Sequence, residues 1–148
     1  MRTFLPGALA ALLLVTGAAS QAAERKPQAN YVLRCAGCHD MDGSGLPKAG
    51  IPPFPGLVDA FYNDPRGRLY LMHVPGVASS SLSDREIAGV MNYVAERWSK
   101  PENHVPRFTA EEVGRLRAQP VADVVAMRRE LVRDYQARGL PVAEYPWP

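Results

Sequence analysis

The 148-residue chain is poor in the residues from which metal cages and disulfide frameworks are built: two cysteines and three histidines. Cys35 and Cys38 allow one disulfide, but residues three apart would close almost no loop and so stabilise little. His73 and His104 are not paired with each other or with a second cysteine pair, which argues against a four-ligand zinc site. No run of Lys or Arg occurs, nor a basic helical face interleaved with aromatics, so no nucleic-acid partner is expected. With 17 Lys and Arg against 15 Asp and Glu, the net charge of +2 carries no strong field of one sign. No internal repeat and no alternating strand pattern is found.

The one long apolar run lies at the start. Arg2 is followed by an apolar stretch from Phe4 to Val15 and then by Gly17, Ala18, Ala19 and Ser20. That is the layout of a secretory signal peptide over residues 1–23, cleaved near Ala22 or Ala23. The run is short for a span of about 20 residues, so no membrane span is expected after cleavage. The expected location is the periplasm. Loss of Arg2 leaves a mature chain near +1, long enough for one domain with a modest core. Export also brings the cysteines into an oxidising compartment. Since their spacing makes a poor staple, their purpose is chemical.

The remaining pattern is helical, and the expected class is all-α. A first helix starts after Pro27 and runs to the cysteines. Residues 40–58 are too rich in Gly and Pro for any regular element. A second helix is expected over residues 64–74, with Asn63 or Asp64 as cap and Pro65 at its first position; Pro75 and Gly76 end it. Ser83 and Glu86 form a capping box ahead of Ile87, Val90, Met91, Val94 and Trp98 at helical spacing. Thr109 and Glu112 suggest another capping box. A last helix is expected from Val121 to Arg138, stopped by Gly139, before an extended tail, Tyr145 to Pro148.

The segment that carries chemistry is Cys35-Ala36-Gly37-Cys38-His39. C-x-x-C-H is the attachment pattern of c-type haem. Each thiol adds across one haem vinyl group to give a thioether. Two intervening residues let one turn of chain span the two vinyl positions. The next residue then lies over the ring, where His39 presents an imidazole nitrogen to iron as the proximal ligand. A thioredoxin-like redox C-x-x-C would need a βαβ context, and a plain disulfide leaves His39 without a role. The expected cofactor is one covalently bound haem c.

From Tyr31 to Trp98 the chain resembles the class I c-type cytochromes. The matching pieces are Tyr-Val-Leu-Arg-Cys-Ala-Gly-Cys-His at 31–39, Asp-Gly-Ser-Gly at 42–45, Leu-Ser-Asp-Arg-Glu-Ile at 82–87 and Val-Met-Asn-Tyr-Val at 90–94. The resemblance implies three core helices around one haem over residues 24–100, with terminal helices crossing near the haem edge. Residues 101–148 are then a C-terminal helical extension. It also implies a proline loop behind the proximal ligand, in which Pro52 or Pro53 offers its carbonyl to the other His39 ring N–H. Such a bond orients a ligand and raises its basicity.

One departure from that family is visible. A distal Met commonly stands a few residues before the Leu-Ser-Asp helix start, but this loop reads Val77-Ala78-Ser79-Ser80-Ser81. Met72 is then the first candidate for the sixth iron ligand and His73 the alternative. Neighbours on a helix point about 100° apart, so they exclude each other. The expected function is single-electron transfer between a periplasmic dehydrogenase and a downstream cytochrome or oxidase, not catalysis. A fixed haem subunit of a larger redox complex and a high-spin haem enzyme or gas sensor are the alternatives.

Overall fold

A computed structural model describes residues 25–144. The leader expected over residues 1–23 and the tail from Tyr145 lie outside the described residues. Among the described residues every regular element is helical, and strand-like pairing is limited to a single bridge between Leu46 and Ile51. None of their helices is long and apolar enough to cross a membrane.

The first helix, α1 (Pro27–Arg34), begins on a proline, whose missing N–H costs nothing in a first turn. After Cys35 one further turn, α2 (Ala36–His39), carries the second cysteine and the histidine. The Gly- and Pro-rich stretch that follows holds a 3₁₀ turn, Pro47–Ala49. Then come α3 (Asp59–Asn63), α4 (Pro65–His73) and α5 (Pro75–Ala78). Asp64 caps α4, its side chain accepting from Arg66 N–H at 2.8 Å. Neither α3 nor α5 is expected from the residue pattern, since one turn is too short to show a period. Pro75 ends α4 as expected but opens a new turn rather than a loop.

The longest helix, α6 (Asp84–Trp98), has the full capping box: Glu86 N–H donates to Ser83 Oγ at 3.2 Å and Ser83 N–H to Glu86 Oε2 at 3.0 Å. Its buried face includes Ile87, Val90, Met91, Val94 and Trp98, as the spacing indicates. The box expected at α7 (Ala110–Arg117) is half formed. Thr109 Oγ1 accepts from Glu112 N–H at 3.2 Å, but the Glu112 carboxylate turns away to Arg68. The last helix, α8 (Val124–Ala137), starts three residues later than its apolar pattern suggests. Asp123 takes the cap, accepting from Ala126 N–H at 2.9 Å, which holds Val121 and Ala122 outside the helix.

One core runs through all of this. Tyr31 of α1, Phe61 and Tyr62 of α3, Met72 of α4 and the buried face of α6 are continuous with Val113 and Leu116 of α7 and with Leu131 and Tyr135 of α8. The C-terminal extension therefore packs on α4 and α6. Its chief tie is Arg68 of α4, only 8% exposed. The guanidinium makes a two-pronged ion pair with Glu112 at 2.7 and 2.6 Å. It also donates to the carbonyls of Tyr62, Pro106 and Arg107 at 3.1, 3.0 and 3.2 Å. It lies 3.6 Å from the centroid of the Phe108 ring.

Candidate functional site

The C-x-x-C-H motif sits where α1 ends. Cys35 N–H still donates to Tyr31 carbonyl at 2.8 Å, and the next turn closes on Cys35 itself, whose carbonyl accepts from Cys38 at 3.1 Å and His39 at 2.9 Å. Residues three and four apart in a helical turn share a face. Cys35, Cys38 and His39 are therefore gathered on one side of a single turn. Both cysteines are free thiols; Cys38 is exposed and Cys35 half-buried. Burial pushes the Cys35 thiol up, helped by the charge of Cys38. Gly37 has open space where a Cβ would stand.

The loop from His39 to Phe54 is folded against the motif by its own backbone. Gly45 N–H donates to His39 carbonyl at 3.1 Å, Leu46 and Ile51 exchange bonds of 3.0 and 3.2 Å, and Phe54 N–H donates to Gly43 carbonyl at 2.8 Å. Two glycines make this closeness achievable. Both have positive φ, at 76° and 62°. A Cβ on Gly43 would stand 2.7 Å from the Trp98 ring, and one on Gly45 would stand 2.8 Å from Pro52 carbonyl oxygen. A side chain at Gly45 would push the proline segment away from His39, and one at Gly43 would collide with Trp98 of α6.

As a result Pro52 carbonyl oxygen lies 3.2 Å from His39 Nδ1. A carbonyl only accepts, so Nδ1 carries the proton and Nε2 keeps its lone pair. Pro53 takes no part in this bond. Burial holds the imidazole below its ordinary pKa, against the opposing pull of the Pro52 bond, so the ring is kept neutral and able to bind metal. The Phe54 ring stacks on it at 4.1 Å between centroids and 19° between planes. Phe54 escaped the sequence reading; an aromatic at the end of a Pro-Pro segment was the available signal. Tyr31 escaped it too. Its hydroxyl donates to Asp40 carbonyl at 2.6 Å. Desolvation pushes its pKa up to about 12, so it remains a donor.

This donor set fits a covalently held porphyrin. Two free thiols and a neutral, oriented imidazole share one face. Val32, Leu33, Met41 and Leu46, four of the five large apolar side chains that stand exposed among the described residues, flank them along the chain. An apolar macrocycle needs such a surround. Among the described residues no cluster of three or more His, Cys, Asp or Glu is arranged to hold a metal ion, which leaves no zinc-type cage there.

The two expected distal ligands stand at the end of α4. Met72 is 1% exposed and part of the core. It is four residues beyond Arg68, hence on the same side of α4, the side turned to α7. His73 Nε2 lies 3.2 Å from Leu116 carbonyl oxygen, also on α7.

No known family profile matches the chain. Two curated proteins do. A cytochrome c-552 of Thermus thermophilus is 37% identical over 145 residues, covering 83% of this chain and 95% of that protein. A second cytochrome c-552 of Thermus thermophilus is 37% identical over 125 residues, covering 70% of this chain and 95% of that protein. Likeness of this degree over nearly the whole of both relatives, joined to the helical fold and to the geometry at His39, places the chain in the c-type cytochrome family of cytochrome c-552, electron carriers with covalently bound haem c.

Proposed function

We propose that this cytochrome is exported to the periplasm, where it takes single electrons from a dehydrogenase and passes them to a downstream cytochrome or oxidase. Haem held by Cys35 and Cys38, with His39 Nε2 on the iron, supplies a centre that changes by one electron. The surrounding residues orient it. Pro52 fixes the His39 tautomer, Phe54 limits rotation of the ring, and Tyr31 ties the turn back to α1.

The observation that carries this reading is the exposure of the motif's second half. Cys38 is at the surface, with exposed Leu33, Met41 and Leu46 flanking it along the chain. A thioether edge there gives an electron a short path to a partner. Small contacts of this kind suit brief docking, as redox encounters require. The extension has a structural explanation of its own: α7 and α8 complete the core against α4 and α6, so no partner has to be invoked to cover them.

The test is expression of the full chain in a host competent for haem attachment. Expected are a periplasmic product lacking the first 22 or 23 residues, haem on both cysteines, and rapid one-electron exchange with a small redox protein in stopped flow. Cytoplasmic retention, or a haem protein that exchanges electrons with redox proteins only over minutes, would overturn the proposal.

A further inference from the structure

We infer that the iron face opposite His39 has no side-chain ligand from this chain and is open to a small neutral diatomic, carbon monoxide being the probe. The inference rests on haem attachment at Cys35, Cys38 and His39, and goes beyond electron carriage. Methionine and histidine supply the usual second ligands, so the five methionines and two remaining histidines can be taken in turn.

Met72 and His73, the two nearest the expected position, are both engaged elsewhere in the fold, Met72 in the core and His73 with Leu116 of α7. Met72 lies in the core on the side of α4 that carries Arg68, whose guanidinium is bound to Glu112. Drawing Met72 out would empty a filled core position. The outer nitrogen of His73, the one that reaches farthest from the backbone, is bonded to Leu116 carbonyl. Met91 is buried on the core face of α6, where its own carbonyl accepts from the Tyr62 hydroxyl at 2.9 Å. Met127 packs against the core from α8. His104 is exposed in the connector, lining a cleft of about 320 Å³ with Asp59, Asp64 and Arg138. Met41 is two residues past His39, and two residues of chain span about 7 Å. That is too short to round the rim of a porphyrin. Met1 belongs to the expected leader.

The segment where the family resemblance puts a distal methionine offers no donor either. Between α4 and α6 stand Val74, the turn α5, Ser79, Ser80, Ser81, Leu82 and the cap Ser83. Ser79 Oγ donates to Pro75 carbonyl at 2.6 Å and Ser80 Oγ to Val77 carbonyl at 2.8 Å; Ser80 Oγ also accepts from Leu82 N–H at 3.3 Å. Ser81 is held at φ 58°, a conformation uncommon outside glycine. The segment is short, bonded to itself and strained, and it has no slack from which to deliver Met72 or His73. Ligand addition at the open face requires no electron or proton from outside: the diatomic supplies a lone pair, and any water there leaves.

The test is optical spectroscopy of the purified holoprotein. The ferric form is expected to be high-spin. The ferrous form is expected to take up one carbon monoxide per haem at micromolar gas, with a shifted and sharpened Soret band. Met72→Leu and His73→Asn are expected to leave the ferric and ferrous spectra of the parent unchanged. A near-infrared sulfur-to-iron band, a ferrous form inert to carbon monoxide, or a low-spin spectrum lost in either variant would overturn the inference. A colourless product with free thiols would instead sink the haem site itself.

Discussion

Replacement of Arg68 by methionine is the sharpest probe of how the C-terminal extension is held. Methionine keeps most of the aliphatic stem but removes the charged fork. Left behind are the Glu112 carboxylate and the carbonyls of Tyr62, Pro106 and Arg107, all now without their Arg68 donor. Removing one partner of a largely buried ion pair typically costs about 3–5 kcal/mol, and each buried carbonyl left unpaired adds part of about 1–3 kcal/mol. Loss of the Phe108 contact at 3.6 Å adds about 1 kcal/mol more. These terms overlap, because water reaches some of the freed groups, so about 4 kcal/mol is the working figure. For a chain of this size that lowers Tm by roughly 10–20 °C. The assay is urea and thermal unfolding of the holoprotein, followed by far-ultraviolet circular dichroism. A second variant, Glu112→Leu, and the Arg68→Met/Glu112→Leu pair complete a double-mutant cycle. The pair is expected to be more stable than Arg68→Met alone, since no half-buried, unpaired carboxylate remains, yet below the parent because the three carbonyls still lack donors. An Arg68→Met loss under about 1 kcal/mol would refute the clamp, and a double variant no better than the single would refute the share assigned to Glu112.

Gly67→Ala is expected to lose about 1–3 kcal/mol, although alanine alone in a helix would gain about 1 kcal/mol. The new methyl would meet Phe61 carbonyl, with the Tyr135 hydroxyl at 2.7 Å; thermal unfolding reads the sign directly. Ser83→Ala removes the Oγ acceptor of Glu86 N–H but leaves the backbone N–H at position 83 free to donate to the Glu86 carboxylate, and is expected to cost about 1 kcal/mol in urea unfolding. Acid stability offers a test with a defined sign. The Arg68 bond holds the Glu112 carboxyl below its ordinary value of 4.5. A depressed folded pKa means stability that is complete above that value and lost as pH falls through the folded one. Tm of the parent should therefore drop more steeply between about pH 5 and pH 3 than Tm of Glu112→Gln; parallel curves would show that the carboxylate adds no acid sensitivity.

The parts legible in the sequence were those encoded locally. The Ser83–Glu86 box and the apolar stripe behind it lie within one helix, and Cys35, Cys38 and His39 lie within one turn, so spacing alone locates both. What escaped depends on distance along the chain. Glu112 sits at a position that reads as the second half of a capping box, and only the fold reveals that Arg68, 44 residues earlier, takes it instead. Asp123 outcompetes an apolar pattern that would start α8 at Val121. α3 and α5 last about one turn and leave no period to detect. The choice between Pro52 and Pro53 turns on how Gly43 and Gly45 let two stretches of loop approach, which composition does not state. Met72 and His73 are candidate ligands by position; the place of the first in the core and the bond of the second to Leu116 of α7 depend on packing that no local pattern describes.

The Tyr31–Asp40 bond has a consequence for motion. Tyr31 is fully buried where α1 meets α6, with its ring 5.1 Å from that of Trp98 and 5.5 Å from that of Tyr93, while its hydroxyl reaches the backbone immediately after His39. Fluctuations that would let the His39 imidazole swing away must first disturb this aromatic crossing. Amides around residues 38–40 would then exchange with solvent at rates close to those of the helix crossing rather than those of a surface loop. Loosening of the turn that carries His39 becomes a rare event that shares its barrier with unfolding.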